Sequence, residues 1–151
     1  MKIEIENIKI KSLNQEALVD LISTATYDNG NFTIDYPVEY YKENLSNEND
    51  CWEDKIAKCL LAGQSIIVSD LYAEFEESHG DLPHEWDKIR GVMNYTVTLK
   101  DVIVGLEKAF ESGEDYKMTA AFKFVTDDVS FDLNDADILF QTIVFGDYIY
   151  G

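Results

Sequence analysis

The sequence is short of basic residues and has little cysteine or proline. Twelve lysines and arginines face thirty aspartates and glutamates, and Arg90 is the single arginine. Arginine is the side chain that best clamps a phosphate or carboxylate group, because its planar guanidinium makes two parallel hydrogen bonds. The eight glycines form neither a P-loop nor a G-x-G-x-x-G motif. These absences argue against a nucleotide-binding enzyme.

Long apolar runs are also absent. No stretch approaches the roughly 18 apolar residues of a membrane-spanning helix, and the opening MKIEIENIKIK has no apolar signal-peptide core. Cys51 and Cys59 are eight residues apart, which on one helix separates them by about 12 Å, too far for a disulfide. We therefore expect a cytoplasmic protein with reduced thiols and no membrane contact.

Negative charge is the dominant property. The formal net charge is −18, a value that repels nucleic acid and anionic lipid and attracts basic surfaces. Nineteen of the thirty acids lie in three blocks, at 39–54, 70–87 and 124–151. Clustered charge favours a surface that faces a basic partner. The alternative is charge that only keeps the protein in solution.

Three capping-box spacings predict helix starts. They are Ser12-Leu-Asn-Gln15, Thr98-Leu-Lys-Asp101 and Asp132-Leu-Asn-Asp135. Alternating apolar residues predict a strand before each one, over 3–10, 95–99 and 129–133, and helical apolar spacing predicts a helix after each one. Gly113 and Gly146 are suited to end the second and third helices.

Further elements are predicted between these units. Alternation over 32–36 and the apolar run at 65–68 predict strands, and helical spacing predicts helices from about 50 to 60 and over 116–125. The segment 70–87 is predicted to be an acidic loop. The order of elements predicts a single α+β domain over residues 1–151, with a mixed or antiparallel sheet and helices packed mainly on one face.

The two histidines are the obvious candidates for a metal site. Glu76 and His79 have the Glu-x-x-His spacing of a di-metal motif, but its second half is missing. His84 lacks the second histidine that a zinc-protease helix needs four residues later. Neither Cys51 nor Cys59 has a neighbour that would activate it. We therefore expect no catalytic residue, no metal and no cofactor.

The stretch DLYAEFEESHGDLPHEWD, residues 70–87, is here called the acidic segment. It holds seven carboxylates, both histidines and no lysine or arginine. Tyr72, Phe75 and Trp86 lie within it, and aromatic anchors supply much of the energy of protein interfaces. Carboxylates on ordered elements can imitate the phosphates of DNA. The expected partner-binding residues are Glu74, Glu76, Glu77, Asp81, Glu85, Trp86, Asp87, Asp127, Asp128 and Asp137.

The closing ADILFQTIVFGDYIYG, residues 136–151, resembles the ends of small acidic proteins carried by phages and mobile elements of gut bacteria. The likeness covers about a tenth of the chain. It implies an accessory protein of a mobile element, similar in character to anti-restriction and anti-CRISPR inhibitors, many of which occupy a nuclease's nucleic-acid groove.

These observations predict a non-enzymatic inhibitor that binds a basic, nucleic-acid-handling protein, such as a nuclease or CRISPR effector, and that binds no nucleic acid itself. Two alternatives remain open. One is an immunity protein for a nuclease toxin, which follows the same electrostatic logic. The other is a structural or regulatory phage protein whose charge imitates nothing.

Overall fold

The computed structural model of the protein describes residues 13–26 and 31–151. The described helices are α1 (Gln15–Thr26), α2 (Val38–Asn44), α3 (Trp52–Leu61), α4 (Leu99–Glu111), α5 (Asp115–Val125) and α6 (Leu133–Phe145). The described strands are β1 (Phe32–Asp35), β2 (Ile66–Asp70), β3 (His84–Asp87) and β4 (Val92–Val97). These strands form one antiparallel sheet in the order β1-β2-β4-β3. The predicted single α+β domain is confirmed.

Two of the predicted capping boxes are present. Thr98 Oγ1 accepts a hydrogen bond from the Asp101 amide, and the Asp101 carboxylate accepts one from the Thr98 amide. Asp132 and Asp135 exchange the same pair of bonds at the start of α6. Each box satisfies backbone donors that a helix start leaves unpaired. Gly146 ends α6 in the left-handed conformation, as predicted.

The first helix has a different cap from the one predicted. Asn14 Oδ1 accepts a hydrogen bond from the Ala17 amide at 2.9 Å, and α1 begins at Gln15. The predicted capping residue Ser12 and the predicted strand over 3–10 lie outside the described residues.

The sheet packs one face against α6. The Phe32 ring of β1 lies 5.1 Å from the Phe140 ring and 5.5 Å from the Phe145 ring, and Tyr95 of β4 lies 5.4 Å from Phe145. Helices α1, α4 and α5 contact α6 from its other sides, which explains why α6 is buried nearly all round. The opposite face of the sheet carries polar side chains such as Asn94, the usual arrangement for an antiparallel sheet.

The predicted strand over 129–133 is wrong. Asp128 Oδ1 accepts hydrogen bonds from the amide and the hydroxyl of Ser130 at 2.8 and 2.7 Å, and the Val129 side chain is fully exposed. An aspartate that bonds the backbone two residues later stabilises a turn. This local bond outweighs the weak alternation of apolar residues.

Two elements were not predicted. The seven-residue α2 follows Pro37, where the sequence indicated only the end of a strand. The strand β3 lies inside the acidic segment, where a loop was expected. Its residues His84–Asp87 have no apolar alternation, and they are extended because they pair with β4.

Candidate functional site

The acidic segment crosses the sheet from β2 to the far edge. Since β4 lies between β2 and β3, residues 71–83 pass over β4 before β3 begins. The His79 amide donates a hydrogen bond to the Tyr95 hydroxyl at 2.9 Å, and the His79 ring packs against Phe145 at 5.3 Å. We call residues 71–83 the crossing. The crossing is anchored to the core near its midpoint, although most of its side chains face solvent.

Aromatic side chains stand at the surface among the carboxylates. Phe75 is 77% exposed, and its ring meets the edge of the half-buried Trp86 at 5.6 Å. Tyr72 is 56% exposed and contacts the ring of Tyr150 at 5.9 Å. The Phe75–Trp86 contact joins the crossing to β3. The acidic segment thus presents an ordered aromatic pair that a partner can cover.

Five predicted partner-binding carboxylates of the acidic segment are exposed: Glu74, Glu76, Glu77, Asp81 and Glu85. In the described part of the chain, no lysine or arginine nitrogen lies within 4.0 Å of any of them. Glu77 Oε1 is 3.1 Å from His79 Nε2. We call these five residues, together with Phe75 and Trp86, the acidic surface.

Asp87 has a different setting. Its Oδ1 accepts hydrogen bonds from the amides of Ile89 and Arg90, both at 3.0 Å. The carboxylate therefore stabilises the turn between β3 and β4. This local role is sufficient to explain an aspartate at the position.

The second predicted group, at the connection of α5 and α6, is divided. Asp127 and Asp128 are exposed, and hydrogen bonds from Ser130 hold the pKa of Asp128 below its usual range. Asp137 is half-buried on α6 and accepts hydrogen bonds from Gln141 at 3.0 Å and Asn31 at 3.5 Å. Burial raises the pKa of Asp137. Asp137 thus takes part in internal packing, whereas Asp127 and Asp128 face solvent.

A buried polar network under the acidic segment was not predicted. Asp70, at the end of β2, is 0% exposed and accepts hydrogen bonds from the Tyr72 amide at 2.9 Å and the Tyr150 hydroxyl at 2.8 Å. Burial raises the pKa of Asp70 and that of Tyr150. The sequence did contain a signal, because the two-residue period of a strand places Asp70 on the same face as Ile66 and Val68.

The same network holds the end of the chain. Gln141 of α6 is 0% exposed, and its Oε1 accepts hydrogen bonds from the amides of Ile149 and Tyr150 at 3.0 and 2.8 Å. Its Nε2 donates to the Tyr150 carbonyl at 2.9 Å and to Asp137 at 3.0 Å. Because the Tyr150 ring also contacts His79 at 6.0 Å, the C-terminal residues support the underside of the acidic segment.

The buried carboxyl of Asp70 predicts a specific pH dependence. Its folded-state pKa lies above the ordinary 3.8, so the folded state binds this proton more tightly than the unfolded chain does. Wild type should therefore gain stability relative to Asp70→Asn as pH falls from above the raised pKa towards 3.8. Asparagine can accept from Tyr72 and donate to Tyr150, so the fold should persist.

Urea unfolding of both proteins between pH 7 and pH 4 measures this difference. Asp137, whose pKa is also raised, is present in both proteins and cancels from the comparison. Parallel stability profiles would show that Asp70 titrates normally.

Both cysteine thiols have raised pKa values. A hydrogen bond to Asp54 raises the pKa of the exposed Cys51, and burial raises that of Cys59. Raised pKa values keep thiols protonated and weakly nucleophilic at neutral pH. Within 13–26 and 31–151, no three His, Cys, Asp or Glu side chains come together in a way that could hold a metal ion.

None of the helices described is long and apolar enough to cross a membrane. No protein family matches the chain, and neither a curated protein nor a solved structure matches it.

Proposed function

We propose that the protein is a non-enzymatic inhibitor that binds a basic, nucleic-acid-handling protein in the cytoplasm, such as a CRISPR effector or a restriction nuclease. Its carboxylates take the place of nucleic-acid phosphates on the target. One observation carries the proposal. The acidic surface exposes five carboxylates that have no lysine or arginine nitrogen within 4.0 Å in the described part of the chain, and the exposed Phe75 stands between two of them, Glu74 and Glu76, in the sequence.

An exposed aromatic ring among carboxylates distinguishes a binding surface from a surface whose charge only keeps the protein in solution. Exposed carboxylates serve both purposes equally well. An exposed phenylalanine adds nothing to solubility, whereas an interface uses such a ring as an anchor that partner atoms bury. The charge of −18 then steers a basic target towards the surface and speeds association.

The order of the segment also supports the proposal. A mimic must hold its carboxylates at fixed spacing, which costs conformational entropy unless the free protein is already ordered. Here β3 fixes Glu85 and Trp86, and the anchoring of His79 to Tyr95 fixes the crossing that carries the other acids. Asp127 and Asp128 provide a second exposed pair at the α5–α6 connection.

Charge reversal tests the proposal. The protein is used to capture targets from host lysate, and a captured basic enzyme is purified to measure its dissociation constant and its inhibition. Changing Glu74, Glu76, Asp81 and Glu85 together to lysine should weaken binding by about 5- to 1,000-fold, since four exposed ion pairs contribute roughly 1–4 kcal/mol in all. Wild-type affinity should also fall steeply with added salt.

The matched control reverses four exposed acids outside the three acidic blocks: Glu16, Asp35, Glu111 and Asp115. Both variants have the same net charge, and circular dichroism checks that both are folded. Binding by the control variant should remain within a few-fold of wild type. Equal losses from the two variants would reduce the effect to bulk charge. Failure of the wild-type protein to capture and inhibit any basic nucleic-acid enzyme would refute the proposal.

A further inference from the structure

The strand β3 forms an outer edge of the described sheet. It pairs with β4 on one side, and no described strand lies on its other side. The Thr96 amide donates to the Pro83 carbonyl at 2.9 Å, which makes Pro83 and Thr96 a hydrogen-bonded pair. In an antiparallel ladder such pairs alternate with non-bonded pairs. The backbone groups of Glu85 and Asp87 therefore point towards β4, and those of His84 and Trp86 point away from it.

The outward-pointing groups of His84 and Trp86 have no backbone partner among the described residues. His84 and Glu85 are exposed, so solvent reaches this edge. An edge strand with free amides and carbonyls is a template on which another extended chain can pair. In β3 this template lies within the acidic surface.

The two faces of β3 have opposite character. Glu85 and Asp87 lie on one face, and Trp86 lies on the other beside the exposed ring of Phe75. A strand added to this edge would alternate its side chains with the same period of two. Basic residues would meet the face of Glu85, and apolar residues would meet the face of Trp86. The edge thus fits an extended segment that alternates basic and apolar residues.

A second copy of this chain is a poor occupant of the edge. Each copy carries a net charge of −18, and pairing two β3 strands would bring Glu85 and Asp87 of both copies together. Like charges that face each other across strands are destabilising. Charge complementarity therefore favours a basic partner.

We propose that β3 is a docking edge on which an extended, alternating basic and apolar segment of the target adds as a fifth strand. This inference rests on the proposed function for the identity of the partner as a basic protein. The mode of contact, backbone pairing at His84 and Trp86, goes beyond that function. It can be tested without the target.

The probe is a capped octapeptide that alternates lysine and valine. Added to the ¹⁵N-labelled protein, it should slow hydrogen exchange at the His84 and Trp86 amides at least about tenfold, because paired amides exchange only when the pairing opens. The control peptide has the same sequence and charge with every internal amide N-methylated. It cannot pair as a strand, and it should leave both amides unprotected.

A pair of variants at one position gives the second test. His84→Pro removes the outward amide and places a ring on the edge, while the inward bonds of Pro83 and Glu85 are kept. It should weaken peptide binding at least about tenfold. His84→Ala keeps the amide and loses only the side chain, so its affinity should stay within about threefold of wild type. Circular dichroism and the β4 amide signals show whether the sheet survives.

The outcomes separate this inference from the proposed function. Equal binding of the methylated peptide, unchanged exchange at His84 and Trp86 under saturating peptide, or no binding at millimolar peptide would each overturn the docking edge. A dimer of the free protein that dissociates in His84→Pro would assign the edge to a second copy and overturn it as well. None of these results bears on the charge-reversal experiment, which alone decides the proposed function.

Discussion

Replacing Gln141 by methionine should lower the free energy of unfolding by about 2–4 kcal/mol, since several partly buried polar groups would lose their partners at once. Methionine has nearly the shape of glutamine but cannot form hydrogen bonds of this kind. The amides of Ile149 and Tyr150, the Tyr150 carbonyl and one oxygen of Asp137 each lose the bond that Gln141 makes. Fraying of the C-terminal residues relieves part of this cost, which sets the upper value.

Thr142→Val is the matched control. Thr142 is the next residue of α6 and is also buried, but its hydroxyl bonds only the Ile138 carbonyl within the same helix. That carbonyl keeps its helical partner when the hydroxyl is removed, so the cost should be below about 1 kcal/mol. Urea unfolding at neutral pH measures both variants. Equal destabilisation by the two substitutions would mean that the four hydrogen bonds of Gln141 add no more to the free energy of unfolding than the single bond of Thr142.

Loss of the Gln141 hydrogen bonds should also loosen the acidic segment. The Tyr150 side chain bonds Asp70 and contacts the rings of Tyr72 and His79. Release of the C-terminal residues should therefore speed amide exchange at His79, whose amide bonds Tyr95 above them. Exchange in α3, which packs against α1, α2 and β2, should change only as far as global stability changes.

Gly80→Ala should be the most damaging small substitution in the acidic segment. Gly80 has a φ of +75°, and a Cβ at this position would lie 2.3 Å from the carbonyl oxygen of Phe145. The backbone oxygen cannot move away without disturbing the end of α6. Backbone strain and overlap together should cost roughly 3–5 kcal/mol.

Gly63→Ala separates the two causes. Gly63 has a similar φ of +84°, but a Cβ added there would meet no atom within 4 Å. Only the conformational cost of about 1–2 kcal/mol applies there. Thermal and urea unfolding of the two variants should therefore differ by at least about 1 kcal/mol. If both alanines cost the same, the crossing would be free to lift from α6, and its anchoring would be weaker than the geometry indicates.

Capping pairs and apolar spacing predicted the elements whose determining residues lie close together in the sequence. The capping pair Thr98 and Asp101 and the pair Asp132 and Asp135 are three residues apart, so side chain and backbone meet as soon as one turn forms. The apolar spacing of α4, α5 and α6 is likewise a property of each helix alone. The strands β1, β2 and β4 were located for the same reason, although the predicted range 95–99 overlaps only the second half of β4 and its last residue, Leu99, begins α4.

Elements that depend on a partner outside their own segment were missed. His84–Asp87 has the composition of a loop, and it is extended only because Val92–Val97 offers an edge on which it can pair. The turn at Asp127–Ser130 shows the opposite case, in which a local hydrogen bond of Asp128 prevails over apolar alternation. Propensity is a weak guide wherever one strong contact decides the conformation.

The amino-acid sequence alone set the net charge of −18, its concentration in the segment 70–87 and the aromatic residues within that segment. These properties follow from composition and order, and no fold is needed to read them. The tertiary structure decided which acids are available to a partner. Asp70 bonds Tyr150, 80 residues away, and Asp137 bonds Asn31, 106 residues away. Burial of a carboxylate depends on packing between remote parts of the chain. Strand alternation sets the face of β2 on which Asp70 lies, and contact with Tyr150 completes its burial.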